Sequence, residues 1–326
     1  FDDDGRNNLA NFRPGDIVLL YSYTAGNEPD VRSTMFFRCT LVETGKDTLH
    51  LRLRVPQSSA LPFRSDANTR WAIEHDSLDS SFSSLYTAVH RFLSMPLRMR
   101  DLLLMRRPPE VDPLRTASSG HGAFTELARR VKQARDFFLI IGPPGTGKTS
   151  FGLTIALKEE LSEPDSSVLL LSYTNRAVDE ICSKLEEEEL DYLRIGPPSS
   201  CDEAYHRRLL SERVKACSNV AEVRDIIKKA RITVATTSSL NANINLVRLK
   251  SFSLAIIDEA SQITEPQIIG ILSATDEHGK AAIGRFVMIG DHKQLPAVVQ
   301  QTAREAAVEQ PDLRAIGLTD CRISLF

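Results

Sequence analysis

The segment Phe137-Phe-Leu-Ile-Ile-Gly142-Pro-Pro-Gly-Thr-Gly147-Lys148-Thr149 decides the fold class of this 326-residue chain. Its apolar beginning is typical of a strand that is buried on both faces, and its second part fits the pattern G-x-x-x-x-G-K-[ST]. Residues 150–161 then read as a helix. Because glycines let backbone N–H groups surround phosphate oxygens, and a helix N-terminus favours negative charge, this order predicts a phosphate-binding loop.

Each residue of the loop is a candidate contact for a bound nucleotide. The Lys148 side chain is predicted to reach the β- and γ-phosphates and to act in catalysis, and the Thr149 hydroxyl is predicted to bind Mg²⁺. By itself the loop predicts only that a nucleotide is bound. The candidate binding residues are Gly142, Pro143, Pro144, Gly145, Thr146, Gly147, Lys148, Thr149 and Ser150.

Two later apolar runs, at 254–258 and 286–289, also lead into polar residues: Asp258-Glu259 at the end of the first and residues 291–294 after the second. Open α/β sheets bind ligands where their strands end, so these residues are predicted to meet the phosphate loop. Asp258 would hold Mg²⁺ directly or through water, and Glu259 would orient and deprotonate the attacking water. Gln294 would sense the γ-phosphate. Solvated acids at a strand end, and a simple polar loop around Gln294, are the alternatives.

The wider pattern from residue 123 onward is an alternation of short apolar runs with helical stretches. Such runs are typical of a parallel sheet with helices on both faces. The candidate strands are 137–141, 168–172, 232–236, 254–258 and 286–289.

The N-terminal part has a different character. Runs at 16–21, 36–42 and 48–55 predict a small antiparallel barrel or sheet, and the last of them alternates apolar and polar residues. Its polar face, with Arg52 and Arg54, is either a nucleic-acid contact or a solvated surface. Residues 82–105 suit helices broken near Pro96. We therefore predict a tail (1–10), a small β-barrel domain (11–80), a helical stalk and linker (81–122) and an α/β nucleotide-binding domain (123–326).

The composition bounds the class of protein. With 42% hydrophobic residues and a net charge of -3, the chain is not a strongly basic nucleic-acid coat protein, but a motor with a local nucleic-acid groove remains compatible. No apolar run approaches the roughly 20 residues of a membrane helix. The five cysteines never form a C-x-x-C pair, which predicts an intracellular, reducing compartment. That compartment would be the cytoplasm of a bacterium or the nucleus of a eukaryote.

Three motifs in order, G-P-P-G-T-G-K-T, D-E-A-S-Q and G-D-x-x-Q-L-P, resemble motifs I, II and III of superfamily 1 helicases. The segments S-Y-T-N-R-A-V-D from Ser172 and V-A-T-T-S from Val234 resemble the motifs that touch the nucleic acid backbone. The residue types alone fit caps of the following helices equally well. The resemblance implies nucleic-acid contacts at Thr174, Asn175, Arg176, Thr236 and Thr237.

The segments around Trp71, Tyr173 and Tyr192 are similar to the DNA replication helicase/nuclease family, which shares its domain order with the nonsense-mediated decay helicases. The resemblance implies a RecA-like P-loop NTPase parallel sheet, preceded by a small antiparallel β-barrel and a helical stalk. It also implies ATP and Mg²⁺ as cofactors, and ATP-dependent movement along single-stranded DNA from 5′ to 3′. An RNA or ribonucleoprotein remodelling ATPase and a non-motor P-loop switch are the alternatives.

The sequence departs from that family in two places. Residues 120–124 carry no counterpart of the glutamine that reads adenine. The chain ends soon after the third motif, so we expect the second RecA-like domain, with its arginine fingers, to be missing from these 326 residues. Since such arginines are worth about 10³ to 10⁵ in turnover in related NTPases, we expect the fragment to hydrolyse ATP poorly.

Overall fold

A computed structural model describes residues 12–45, 48–76, 81–118, 120–143, 145–291, 293, 294, 297, 299, 301–315, 317–320, 322, 324 and 326. The side chains of residues 81–84 and 149 are outside this description. The chain divides into two compact units, Phe1–Ser80 and Ser81–Phe326. The residues predicted to form a stalk thus fall in the second unit, and the finer boundaries at 10 and 122 stay predictions.

The described strands of the first unit form one four-stranded antiparallel sheet. Its spatial order is β3-β2-β1-β4. Val18 and Cys39 are buried in its core, and the partly buried Trp71 packs against them. The strands are β1 (Ile17–Thr24), β2 (Phe36–Thr44), β3 (Leu49–Leu53) and β4 (Thr69–His75).

Sequence reasoning found three of these strands and missed β4. That strand pairs with β1, from Val18 opposite His75 to Thr24 opposite Thr69. None of its residues is fully buried, and charged residues interrupt its apolar pattern. A strand of this kind is stabilised by its neighbour and has little periodicity of its own to detect.

The second unit alternates strands and helices. Its strands are β5 (Phe137–Ile141), β6 (Val168–Ser172), β7 (Leu193–Ile195), β8 (Ile232–Thr236), β9 (Phe252–Ile257) and β10 (Ile283–Gly290). Its helices are α1 (Ser81–Ser94), α2 (Leu97–Leu103), α3 (Thr125–Gln133), α4 (Thr154–Leu161), α5 (Asn175–Glu187), α6 (Leu210–Arg213), α7 (Val220–Lys229), α8 (Thr237–Ala242), α9 (Asn245–Arg248), α10 (Glu265–Leu272), α11 (Ala303–Ala306) and α12 (Pro311–Ala315).

The described strands of this unit form a parallel sheet in the order β5-β10-β9-β6-β8-β7. The sheet has a hydrophobic core on each face, and successive residues of β6 alternate between them. Leu169 and Leu171 pack in the same core as Ile257, and Leu170 packs in the same core as Ile256. The predicted RecA-like α/β class is confirmed. Sequence reasoning missed β7, because three residues are too few to show a period.

The first two helices of this unit meet at Pro96, as predicted. Pro96 is the N-cap of α2, with φ −53° and ψ 133°, and so it ends the helical path of α1. Helix α1 packs on α10, where a Cβ added to Gly270 would lie 2.5 Å from Ala88 Cβ. The glycine therefore permits the close approach that places α1 against the α/β layers.

Two negative findings concern only the residues described above. None of the described helices has the length and apolar character needed to cross a membrane. The described cysteines, Cys39, Cys182, Cys201 and Cys217, are all free thiols.

Candidate nucleotide site

Three neighbouring strands of the parallel sheet end at one edge and deliver the predicted site residues there. In the register of the sheet, Gly290 of β10 lies beside Ile141 of β5. The Gly142 N–H donates to the Gly290 carbonyl at 3.3 Å, and the Asp258 N–H donates to the Leu171 carbonyl at 2.8 Å. Backbone hydrogen bonds thus hold the start of the phosphate loop and Asp258 at this edge.

The loop itself is a tight turn that depends on its glycines. Gly145 and Gly147 both have φ +76°, in the left-handed region that side chains disfavour. A Cβ added to Gly142 would lie 2.9 Å from Thr146 Oγ1, whose hydroxyl donates to the Pro143 carbonyl at 2.8 Å. The glycines therefore keep the backbone open to a ligand. Pro144 of the predicted site lies outside the described residues.

Lys148 is the cation of this loop. Its Nζ donates to the Gly142 carbonyl at 3.0 Å, so the side chain folds back over the loop. An ammonium group at this position can exchange a carbonyl partner for phosphate oxygens without leaving the loop. The contact of Lys148 with the β- and γ-phosphates stays a prediction.

The helix after the loop begins with π-helical geometry, from Lys148 to Leu153, before it becomes α4. The sequence predicts a helix over 150–161, and the α-helical part of it begins at Thr154. The Phe151 N–H donates to the Gly147 carbonyl at 2.6 Å, and a Cβ added to Gly152 would lie 3.3 Å from Ile140 Cδ1. The widened turn accompanies close packing of the helix start on β5. Such π-turns are frequent at functional sites.

Asp258 is the carboxylate predicted to hold Mg²⁺. It follows β9 directly and is only 2% exposed. Nearby in the fold, the Ser172 and Ser261 hydroxyls are buried without a hydrogen-bond partner among the described residues, which costs free energy unless a ligand or water satisfies them. Ser172 ends β6 and Ser261 follows β9, so both belong to the same sheet edge. Sequence reasoning did not single out these two hydroxyls.

The donor set suits Mg²⁺ in a nucleotide complex. The described residues contain no group of three or more His, Cys, Asp or Glu side chains that would hold a metal ion without other ligands. Mg²⁺ typically takes one or two carboxylates together with phosphates and water. Asp258 therefore fits the ion as one protein ligand among nucleotide oxygens. The Thr149 hydroxyl, the other predicted ligand, lies outside the described side chains.

Glu259, the predicted base, has an uncommon backbone. Its φ of +53° and ψ of +37° are left-handed, although it is not glycine. It caps a short 3-10 turn, and its Oε2 accepts a hydrogen bond of 3.1 Å from Gln262 Nε2. A left-handed residue of this type costs about 1–2 kcal/mol, which points to a functional constraint at the half-exposed carboxylate.

Gln294 lies on a turn after β10. Asp291 Oδ1 accepts the Lys293 N–H at 2.9 Å, and the Asp291 carbonyl accepts the Gln294 N–H at 3.1 Å. Asp291 is buried, and these two hydrogen bonds stabilise the turn. The Gly290-Asp291 pair at the strand end is typical of such a turn, but the sequence alone assigned no role to Asp291. The γ-phosphate role of Gln294 stays a prediction.

The residues predicted to contact nucleic acid fall into two groups. Thr174, Asn175 and Arg176 are exposed at the start of α5, whereas Thr236 and Thr237 are buried at the start of α8. Thr174 Oγ1 accepts the Ala177 N–H at 3.2 Å, and Thr236 Oγ1 accepts the Ser239 N–H at 3.0 Å. The hydroxyls of Thr174 and Thr236 thus cap their helices, while a contact with nucleic acid stays a prediction for all five.

Comparison with known proteins points to one family. The AAA domain family matches residues 123–223 and 205–302. The DNA replication ATP-dependent helicase/nuclease JHS1 of Arabidopsis thaliana is 34% identical over 274 residues, covering 79% of this chain and 20% of its own. The mouse DNA replication ATP-dependent helicase/nuclease DNA2 is 32% identical over 245 residues, covering 70% of this chain and 21% of its own.

The chain thus spans about a fifth of the length of these relatives. Among solved structures, it is similar to a crystal structure of arterivirus nonstructural protein 10, a helicase. That similarity has 14% identity and a TM-score of 0.36, and it covers 89% of this chain and 44% of the other.

Proposed function

The chain belongs to the AAA domain family, within the superfamily 1 helicases, and on that premise we propose that it is the ATP-binding part of a motor that moves along single-stranded DNA. The observation that carries this proposal is that the glycine-rich loop and Asp258 lie at one edge of the sheet. Gly142, at the start of the loop, is hydrogen-bonded to Gly290 at the end of β10, and the buried Asp258 directly follows β9, the strand beside β10. A triphosphate and a divalent cation are the ligands that this combination of donors suits.

In this proposal each residue has one chemical role. The loop N–H groups and Lys148 bind the phosphates, and Asp258 and Thr149 hold the ion. Mg²⁺, when bound, neutralises charge that develops on the phosphate oxygens. Glu259 accepts a proton from the attacking water, and Gln294 senses the γ-phosphate.

The nucleic-acid track would include the exposed start of α5. Arg176 is 90% exposed at its side chain, and its contact with Glu180 is 3.4 Å long, so the guanidinium can exchange that partner for a phosphate. DNA as the track, 5′ to 3′ polarity and a nuclear location are proposals too. The relatives named above are DNA replication helicase/nucleases of a plant and a mouse, which supports the first and the third of these proposals.

The test is ATP hydrolysis by the full-length protein, with and without single-stranded DNA and with matched RNA as the comparison, since the 326 residues alone are expected to hydrolyse ATP poorly. Lys148→Ala and Glu259→Gln are measured beside the natural sequence. We expect stimulation by DNA that both variants abolish, with nucleotide binding lost in Lys148→Ala and kept in Glu259→Gln. Stimulation by RNA alone would favour a remodelling ATPase. DNA binding that ATP changes, without stimulated turnover, would favour a switch.

A further inference from the structure

Two phenylalanine side chains stack beside the phosphate loop. The ring centroids of Phe124 and Phe151 are 4.8 Å apart, with 18° between the ring planes. Phe151 follows the loop in the π-helical turn, whereas Phe124 precedes α3. Residues 27 positions apart in the chain thus form one aromatic surface at the nucleotide site.

The Phe151 ring lies directly against the loop backbone. A Cβ added to Gly147 would lie 2.5 Å from Phe151 Cδ2 and 2.8 Å from Cε2. Even so, Phe151 remains 50% exposed. A large apolar ring that covers the last glycine of the loop and still faces solvent offers a contact surface to whatever the loop binds.

We propose that the Phe124–Phe151 pair stacks on the base of the bound nucleotide, and that the site therefore selects the triphosphate and not the base. This inference rests on the proposed function, since it concerns the same nucleotide. Every base has a π-face, but a phenyl ring has no hydrogen-bonding group with which to distinguish exocyclic groups. Strong discrimination between bases requires such polar groups.

The imidazole of His121, three residues before Phe124, has other partners. His121 Nε2 lies 2.5 Å from Glu159 Oε1 and 3.4 Å from Ser118 Oγ. Glu159 is fully buried in α4, and the Ser118 N–H donates to its Oε1 at 3.1 Å. These contacts attach the segment before Phe124 to α4, the helix that continues from Phe151. They fix the position of Phe124 relative to Phe151, whose ring stays half exposed.

The sequence is consistent with this assignment. The resemblance described above implies an adenine-reading glutamine near residues 120–124, and Phe124 lies in that segment instead. One aromatic residue thus occurs where a hydrogen-bonding side chain is expected, and it contacts a second aromatic residue at the loop.

The experiment measures dissociation constants by calorimetry in the presence of Mg²⁺. The ligands are the β,γ-imido analogues of ATP, GTP, CTP and UTP, with inorganic tripolyphosphate as the ligand without a base. We expect the ATP and GTP analogues to bind within about fivefold of each other, because both purines stack well. Base stacking on an aromatic side chain is worth roughly fivefold to a hundredfold in affinity, so tripolyphosphate should bind more weakly by such a factor.

The variants separate stacking from a structural role of the ring. Phe151→Ala should weaken nucleotide analogues on the order of tenfold without changing the affinity for tripolyphosphate, and Phe151→Tyr should retain the natural affinity. Tyr86→Ala removes an aromatic ring that is 78% exposed on α1 and should change nothing. If Phe151→Ala fails to fold, Phe124→Leu, which keeps an apolar side chain but removes one ring, provides the same comparison.

Three results would overturn the inference: a preference above about tenfold for the ATP analogue over the GTP analogue, equal binding of tripolyphosphate and nucleotides, or equal losses for both ligand types in the ring variants. The proposed function would survive each of them. Failure of all ligands to bind, or undiminished binding in Lys148→Ala, would instead refute the nucleotide site itself and the inference with it.

Discussion

Arg285 Nη2 donates a hydrogen bond of 2.6 Å to Glu160 Oε2, and both side chains are buried. Arg285 lies on β10 and Glu160 on α4, the helix that continues from the phosphate loop. The other nitrogen, Arg285 Nη1, donates to the Val131 carbonyl of α3 at 2.7 Å. The Arg285 guanidinium therefore connects β10, which borders the phosphate loop, to both α3 and α4.

Removing one partner of this ion pair should lower the free energy of unfolding. Glu160→Ala leaves the buried Arg285 charge without its carboxylate, and breaking such a pair costs about 3–5 kcal/mol. The free energy of unfolding from urea titration measures the effect. Glu180→Ala, which removes the partner of the exposed Arg176, is the control and should change stability little. Equal losses in both variants would contradict the role assigned to burial.

Loss of the Lys148 ammonium should weaken nucleotide binding. A hydrogen bond to a charged group contributes about 1.5–3 kcal/mol, so Lys148→Ala should raise the dissociation constant for ATP by roughly tenfold to a hundredfold. Lys158→Ala is the matched control, because Lys158 is a half-exposed lysine on the same helical run, paired with Glu188 at 2.7 Å. The prediction fails if both lysine variants bind ATP alike.

Substitution of Gly147 should cost more than substitution of another glycine with the same backbone. Gly147→Ala and Gly279→Ala both place a side chain at a left-handed residue, with φ of +76° and +75°. That conformation costs about 1–2 kcal/mol in each case. Only at Gly147 would the new Cβ also meet an aromatic ring, whereas nothing lies within 4 Å at Gly279. We expect a lower unfolding midpoint and weaker ATP binding for Gly147→Ala than for Gly279→Ala.

Stability should depend on pH through Lys250. Burial lowers the pKa of the Lys250 ammonium from 10.5 to about 8 in the folded chain. Between those values the unfolded chain binds more protons, so this residue makes stability rise with pH across that window. Lys250→Met also removes the hydrogen bond from Lys250 Nζ to the Ala230 carbonyl, so the informative quantity is the pH dependence of stability. The rise in the free energy of unfolding between about pH 8 and 10 should be present in the natural sequence and reduced in the variant. An equal rise in both proteins would exclude Lys250 as its origin.

Arg176 should contribute to nucleic-acid affinity without affecting the fold. Arg176→Ala is expected to weaken binding of a single-stranded DNA oligonucleotide and to lower the slope of log affinity against log salt by about 0.7, the value for one phosphate contact on a single strand. Fluorescence anisotropy at several salt concentrations measures both. Arg52→Ala, at an exposed arginine of β3, tests the alternative contact surface. An unchanged slope for both variants would show that neither arginine contacts the DNA backbone.

The amino-acid sequence by itself determined the parallel α/β class and the position of the glycine-rich loop after β5. Strands β5, β6 and β8 have the bounds that their apolar runs predict. Every residue of β6 and β8 is buried, as expected for strands covered on both faces, whereas β5 is an edge strand and leaves Leu139 and Ile141 exposed. The glycine-rich loop and Asp258 were equally readable, since these residues follow directly on such strands.

Only the tertiary structure decided which distant side chains meet. The Arg285–Glu160 pair, the Phe124–Phe151 stack and the attachment of His121 to buried Glu159 each join residues that local periodicity cannot relate. Strand β4 depends in the same way on its pairing with β1. An apolar pattern in the sequence predicts which residues are buried, but it does not predict which residues they contact. Those contacts depend on how the layers of the fold pack, and they determine the chemistry at the sheet edge.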